Sequence, residues 1–173
     1  MQDVTFITSD PGRVRHGEPR SEGKTRRSKD GSFTRKNNKK FFGYNGHIIV
    51  DDNGPGPVIL SYAVTTAKDH DIKIDLSKRG IIVYRDKRYF GSDPKGIDGT
   101  MHRSPRDHKL SIESIRRNFR ISRKRSLVEY PYAVMKRMFH FSHVMVTLIR
   151  RVRVKFMFAC FGYKLHALRI LHG

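Results

Sequence analysis

The chain has 173 residues, of which 36 are lysine or arginine and 16 are aspartate or glutamate, so its formal net charge is +20. Hydrophobic residues make up 37% of the sequence, which is enough for one core and excludes a wholly disordered chain, and the single cysteine excludes a disulfide scaffold. A charge this high predicts a polyanionic partner, with nucleic acid as the first candidate and an acidic membrane surface as the second.

The first half of the chain predicts strands interrupted by one long polar segment. Residues 3–8 are β-branched or aromatic and favour a strand. Residues 9–40 are rich in Gly, Ser, Arg and Lys and favour either a flexible loop or a basic arm that lies on phosphates; the two readings are compatible. Strands at 41–50 and 58–66, separated by the turn-forming residues 51–57, predict an antiparallel hairpin.

The second half changes from strand to helix. A short helical or loop stretch is expected over 69–78, a buried central strand over 81–84 and a loop over 91–109. Helical patterns begin near Ser111 and again near Pro131. Apolar residues that recur at helical spacing toward the end of the chain are expected in the core: Val144, Leu148, Val152, Phe158, Phe161, Leu165 and Leu168. The longest apolar run, 156–163, is too short to cross a bilayer. Because the chain also has a single cysteine and no apolar core of a signal peptide, we expect a soluble protein of a reducing, intracellular compartment.

Three acidic residues stand out against the basic background. Asp3 opens the first predicted strand, Asp86 follows the apolar strand, and Glu129 lies in a helical stretch with Arg125 four residues before it and Lys136 seven after it. Carboxylates on buried strands are costly unless they are paired or bind a metal. Spacing alone favours simple pairing with neighbouring Arg or Lys, but converging carboxylates would hold Mg²⁺.

Several motifs, taken in order, resemble one known family. They are residues 3–7, 25–31, 39–44, 83–91, 121–129, 136–139 and 158–165. In this order they resemble the catalytic domain of DDE-type insertion-sequence transposases, within the insertion-sequence-four/five superfamily. The resemblance covers essentially the whole chain.

The resemblance implies an α/β fold in which a ribonuclease H-like mixed sheet is flanked by helices. It implies that 1–173 is a partial catalytic domain with 9–40 as a basic insertion. By the same resemblance Asp3, Asp86 and Glu129 are the catalytic acids and the ligands of Mg²⁺ (or Mn²⁺). DNA-binding roles are expected for five basic residues: Arg26, Arg27, Lys29, Arg125 and Lys136. The pair His70–Asp71 matches a family His-Asp pair, and its reading as a helix cap stands equally beside a catalytic role.

The implied function is DNA transposition, by metal-dependent phosphodiester cleavage and strand transfer at the ends of an insertion sequence. The implied partners are DNA at the element ends and at the target, with no membrane partner and with assembly of several copies on DNA. The expected location is the prokaryotic cytoplasm, at the nucleoid. Two alternatives stay open: an inactive remnant that binds nucleic acid through charge alone, and a fragment that folds poorly.

The sequence also departs from the family pattern. Arg88 stands where the family has glycine, and it would be strained if that position required a positive φ. Ser122 replaces the tyrosine expected three residues before Arg125, and residues 44–47 differ from the usual motif. The chain starts two residues before Asp3, so we expect that the N-terminal DNA-recognition region is missing and that the protein is truncated.

Overall fold

The computed structural model describes residues 1–11, 30–36, 38–52, 54, 56–69, 71–146 and 148–172, with the side chains of 36, 71 and 172 excepted. Its strands are β1 (Gln2–Ser9), β2 (Ser32–Lys36), β3 (Lys39–Asp51), β4 (Val58–Thr66), β5 (Ile82–Arg85), β6 (Ile97–Thr100) and β7 (His143–Val144). Its α-helices are α1 (Ile112–Arg125), α2 (Glu129–Met138) and α3 (Ile149–His172). The protein is therefore an α/β structure, as expected.

The long strand β3 is the centre of a five-stranded mixed sheet. β1 runs antiparallel along one edge of it, from Gln2 opposite Ile49 to Thr8 opposite Gly43. The other edge is shared by β2 and β4, both antiparallel to β3, while β7 adds a short parallel pairing at the end of β1. β5 and β6 form a separate parallel pair. The start of β1 therefore lies beside the end of β3, where both strands are buried.

The predicted strand at the chain start and the predicted hairpin are confirmed, because β-branched and aromatic residues fill both sides of the 51–57 turn. Three predictions about the remaining strands are wrong. β5 is one strand of a two-stranded pair rather than a central strand, and Ile82 on it is about half exposed. β2 and β6 lie in stretches whose polar and glycine-rich composition favours loops; each gains its order from pairing with a neighbouring strand.

Helix α1 begins where its cap predicts. The Ser111 hydroxyl accepts a hydrogen bond from the Ser114 amide at 3.2 Å, which satisfies one of the free N–H groups of the first turn. A 3-10 turn at Ser126–Val128 joins α1 to α2, and Arg125, Val128 and Glu129 all keep right-handed helical backbone angles. The polypeptide therefore stays helical from 112 to 138, and residues three, four and seven apart lie on one face across the junction.

Helix α3 covers one face of the sheet with a different set of residues from the predicted one. Its buried residues are Val152, Phe156, Ala159, Cys160 and Tyr163, and Phe156 stacks on Phe141 with ring centroids 5.1 Å apart. Of the predicted stripe, Val144 and Val152 are buried, whereas these residues are 39–63% exposed: Leu148, Phe158, Phe161, Leu165 and Leu168. The helix is apolar on two faces, and packing against β4 decides which face is buried. Within the described part of the chain, no helix is long and apolar enough to cross a membrane.

Candidate active site

Asp3 is a buried acid on β1, opposite Ile48 of β3, and it is only 7% exposed. Its Oδ2 atom accepts a hydrogen bond from Arg125 Nη2 at 2.9 Å, which pairs the carboxylate with the last turn of α1. No described residue donates a hydrogen bond to its Oδ1 atom, although that atom is buried. A buried carboxylate oxygen left in this state is costly unless another group satisfies it.

Asp86 follows the last residue of β5 and caps the 3-10 turn at Lys87–Tyr89. Its Oδ1 accepts from the Lys87 amide at 2.6 Å, and its Oδ2 accepts from Arg88 Nε at 3.2 Å. The same guanidinium reaches back to Asp3, with Arg88 Nη2 at 3.9 Å from Asp3 Oδ1. The two aspartates, 83 residues apart in sequence, therefore converge on one guanidinium group.

The position of Asp86 depends on a buried arginine directly before it. Arg85 is fully buried, hydrogen-bonds Thr100 at 3.0 Å and pairs with Asp98 at 3.2 Å. Its guanidinium also lies 5.5 Å from the centre of the Tyr89 ring, a cation–π contact. These contacts tie β5 to β6 and to the turn that carries Arg88, and so hold Asp86 at the end of the strand.

Glu129 is the first residue of α2 and is exposed. It lies one turn after Arg125 and one turn before Tyr132, and both of those residues contact Asp3: the Tyr132 hydroxyl donates to the main-chain oxygens of Asp3 at 2.8 Å and Gly46 at 3.0 Å. Lys136 follows on the same face, two turns after Glu129, and is exposed. This helical face is therefore the one turned toward β1.

The third acid does not join the two aspartates in a preformed cluster. Among the described residues, no three His, Cys, Asp or Glu side chains are grouped so that they could hold a metal ion. The pair Asp3 and Asp86 nevertheless fits a divalent cation such as Mg²⁺ or Mn²⁺ in chemistry. Both supply hard carboxylate oxygens, and Asp3 Oδ1 lacks a hydrogen bond from the described residues.

A buried histidine that the sequence did not single out as a site residue lies opposite Val4, the neighbour of Asp3 on β1. His47 on β3 is fully buried, and its Nε2 atom lies 2.9 Å from the Thr65 hydroxyl. Burial lowers the pKa of His47 to about 4; nearby Asp69 opposes this shift and Arg88 adds to it. The imidazole is therefore neutral at pH 7.

Two other contacts could not have been chosen from composition alone. Tyr132 could have been noticed as a hydroxyl-bearing residue three positions after Glu129 on a predicted helix. The sequence does not indicate, however, which groups accept its hydrogen bonds. Arg88 is next but one to Asp86, yet its approach to Asp3 depends on the tertiary fold. Among the described non-glycine residues only Asn38, Asp107 and His140 have a positive φ. Arg88 therefore has a negative φ, and the backbone strain expected if this position required glycine is absent.

Several predicted residues lie outside the described residues. These are Arg26, Arg27 and Lys29 in the basic segment, together with His70; the side chain of Asp71 is also not described. Their DNA-binding and capping roles stay predictions.

Comparison with known proteins gives one match. A family model described as "Transposase DDE domain" matches residues 3–165. That range runs from the first aspartate on β1 to the middle of α3 and includes every residue of the site. Searches of the curated proteins and of the solved structures gave no match.

Proposed function

The chain belongs to the family of transposase DDE domains, and from this membership we propose that it cleaves DNA phosphodiesters and joins strands at insertion-sequence ends, using Asp3, Asp86 and Glu129. A transposition-related function follows from the family itself. The single observation that supports the chemistry is the convergence of Asp3 and Asp86 on one point, with a buried Asp3 oxygen that no described residue hydrogen-bonds.

In this proposal Asp3 and Asp86 hold a divalent cation, Mg²⁺ or Mn²⁺. The chemistry supplied by such a cation is polarisation of a phosphoryl oxygen and stabilisation of the attacking and leaving oxygens. Arg125 fixes the Asp3 carboxylate through a hydrogen bond to Oδ2, which leaves Oδ1 available. Glu129 enters the proposal through its place on the helical face that carries Arg125 and Tyr132, where an exposed side chain can turn toward the pair.

The DNA is proposed to approach along the basic end of α1. Arg123 and Lys124 are exposed in its last turn, directly before Arg125, and Lys136 is exposed about three turns further on. Guanidinium and ammonium groups in such a row neutralise successive phosphates and make binding salt-dependent. The basic residues of the 9–40 segment would add to this surface, and assembly of two or more copies on DNA and location at the nucleoid belong to the same proposal.

We also propose that the fold is of the ribonuclease H-like type. The support is the antiparallel run β1–β3–β4, with the first aspartate on β1, the second at the end of β5 and the glutamate on a helix. β2 then lies inside the insertion proposed at 9–40.

The test is nicking and strand joining of DNA that carries candidate element ends, with Mg²⁺ or Mn²⁺ and with a chelator as the blank. We expect metal-dependent cleavage by the unsubstituted chain, its loss in Asp86→Asn, and its retention in Asp93→Asn. Asp93 is an exposed aspartate on the loop between β5 and β6, so it is matched in residue type and charge change.

Two results would contradict the proposal. Equal cleavage by Asp86→Asn and the unsubstituted chain would show that the carboxylate pair is not the active site. Salt-sensitive DNA binding with no cleavage in either metal would favour the alternative, a non-catalytic protein that binds nucleic acid through its charge.

A further inference from the structure

The space between Asp3 and Asp86 contains a positive charge that belongs to the chain itself. Arg88 Nε lies 3.2 Å from Asp86 Oδ2, and Arg88 Nη2 lies 3.9 Å from Asp3 Oδ1. The guanidinium therefore contacts both carboxylates, as a bridging cation would.

The Arg88 guanidinium offsets the negative charge of Asp3 but does not form a hydrogen bond with it. At 3.9 Å the Arg88–Asp3 distance is too long for one, and Asp3 Oδ1 receives none from any described residue. The other oxygen of Asp3 is satisfied differently, by the short bond from Arg125. Asp3 Oδ1 is thus the atom at which a second cation would gain most, and the Arg88 guanidinium lies 3.9 Å from it.

Arg88 and Arg125 differ in how firmly they are enclosed. The Arg125 side chain is 14% exposed, whereas the Arg88 side chain is 57% exposed. A long side chain with this exposure can turn into solvent while its backbone stays in the 3-10 turn. A guanidinium and a divalent cation at one carboxylate pair repel each other strongly, because they would lie only a few ångströms apart.

From these contacts we infer that Arg88 competes with the divalent cation for the Asp3–Asp86 pair, so that the cation binds only when Arg88 turns away. The inference rests on the proposed function, since it takes the two aspartates as the cation site. Arg88 would then lower the affinity of the aspartate pair for the metal and so set the free metal concentration at which the site fills.

The experiment measures metal binding directly rather than catalysis. Mn²⁺ is titrated into the protein, and the free ion is followed by its electron paramagnetic resonance signal. The variants are Arg88→Gln, which removes the competing charge, and Arg103→Gln, which removes one charge from an exposed arginine on the loop before α1. The double variant Asp86→Asn/Arg88→Gln reports whether the bound ion is at the aspartate pair, and circular dichroism melts verify that every variant is folded.

We expect Arg88→Gln to tighten Mn²⁺ binding by roughly tenfold or more, Arg103→Gln to change it by less than about twofold, and the double variant to lose the gain. Equal affinity in Arg88→Gln and the unsubstituted chain, with binding lost in the double variant, would overturn the inference and leave the proposed cation site intact. Absence of Mn²⁺ binding in all variants, including Arg88→Gln, would overturn the inference together with the proposed cation site.

Discussion

Replacing Tyr132 by phenylalanine tests whether α2 is held against β1 at the first aspartate. The Tyr132 hydroxyl is buried and contacts the main-chain oxygens of Asp3 and Gly46 at 2.8 and 3.0 Å. Burial raises the pKa of Tyr132 well above its usual value, and the neighbouring Asp3 carboxylate raises it further, so the hydroxyl remains a donor over the whole neutral range.

The expected magnitude follows from the single proton of the hydroxyl. Two acceptors share that proton, so the pair of contacts counts as about one strong hydrogen bond and part of another. Its removal also leaves buried carbonyl oxygens with less hydrogen bonding. We therefore expect Tyr132→Phe to lower the free energy of unfolding by about 1–2 kcal/mol. In a domain of this size that loss lowers the melting temperature by roughly 2–8 °C.

Urea denaturation followed by circular dichroism gives the free energy, with Tyr130→Phe as the matched control. Tyr130 lies on the same helix but is 46% exposed, and its ring forms a T-shaped pair with Tyr163, so we expect its hydroxyl to be dispensable. We expect the control to stay within about 0.5 kcal/mol of the unsubstituted chain. Equal unfolding free energies for the two variants would refute the reasoning, because the hydroxyl would then not fix α2 on β1.

Three further substitutions test the surroundings of the site. Gly43→Ala should lower the free energy of unfolding by more than about 2 kcal/mol, because the added Cβ would lie 2.0 Å from a main-chain oxygen of β1. Gly54→Ala is the control: its Cβ would have open space around it, so thermal melts should show no change. Arg125→Gln should cost on the order of 3 kcal/mol by leaving the buried Asp3 carboxylate without its closest cation, and adding Asp3→Asn should restore part of the loss in a double-mutant cycle. The pKa of His47 is about 4 in the folded protein and 6.5 in the unfolded chain. Between these two values only the unfolded chain binds the proton, so the free energy of unfolding falls as the pH drops from 6.5 toward 4. The fall is about 2 kcal/mol between pH 7 and pH 5, and it should be absent in His47→Gln; an unchanged slope in unfolding free energy against pH would contradict the assignment.

The strands that carry the core were predictable because their sequences are locally consistent. β-branched and aromatic residues run through β1, β3 and β4, and the turn between the last two has Asp, Gly and Pro at its centre. β2 and β6 were not predictable in this way. β2 forms a tight hairpin with β3, from Lys36 opposite Lys39 to Ser32 opposite Gly43, and the short Ile97–Thr100 segment pairs with β5. The polar composition of these two segments does not encode the pairing from which they gain strand structure.

The candidate site divides along the same line. The order of motifs points to Asp3, Asp86 and Glu129, and the spacing of Arg125 and Glu129 places both on one helical face. The bridging contact of Arg88 is different, because it joins a turn after β5 to a strand more than 80 residues earlier. The sequence alone shows that Arg88 is unusual at its position, but its contact with the Asp3 carboxylate can be recognised only from the fold.

The strand register around Gly43 has a consequence for how the chain tolerates change in length. Thr8 of β1 and Ser32 of β2 both pair with Gly43, one on each side, so the two ends of the intervening segment are anchored about 10 Å apart, or two strand spacings. The entropy of closing a loop between such fixed points grows only with the logarithm of its length, at about 0.6 kcal/mol for each doubling. A change in the number of residues between these two anchors therefore costs little through loop closure itself, while the carboxylate pair at the other end of β1 keeps its geometry.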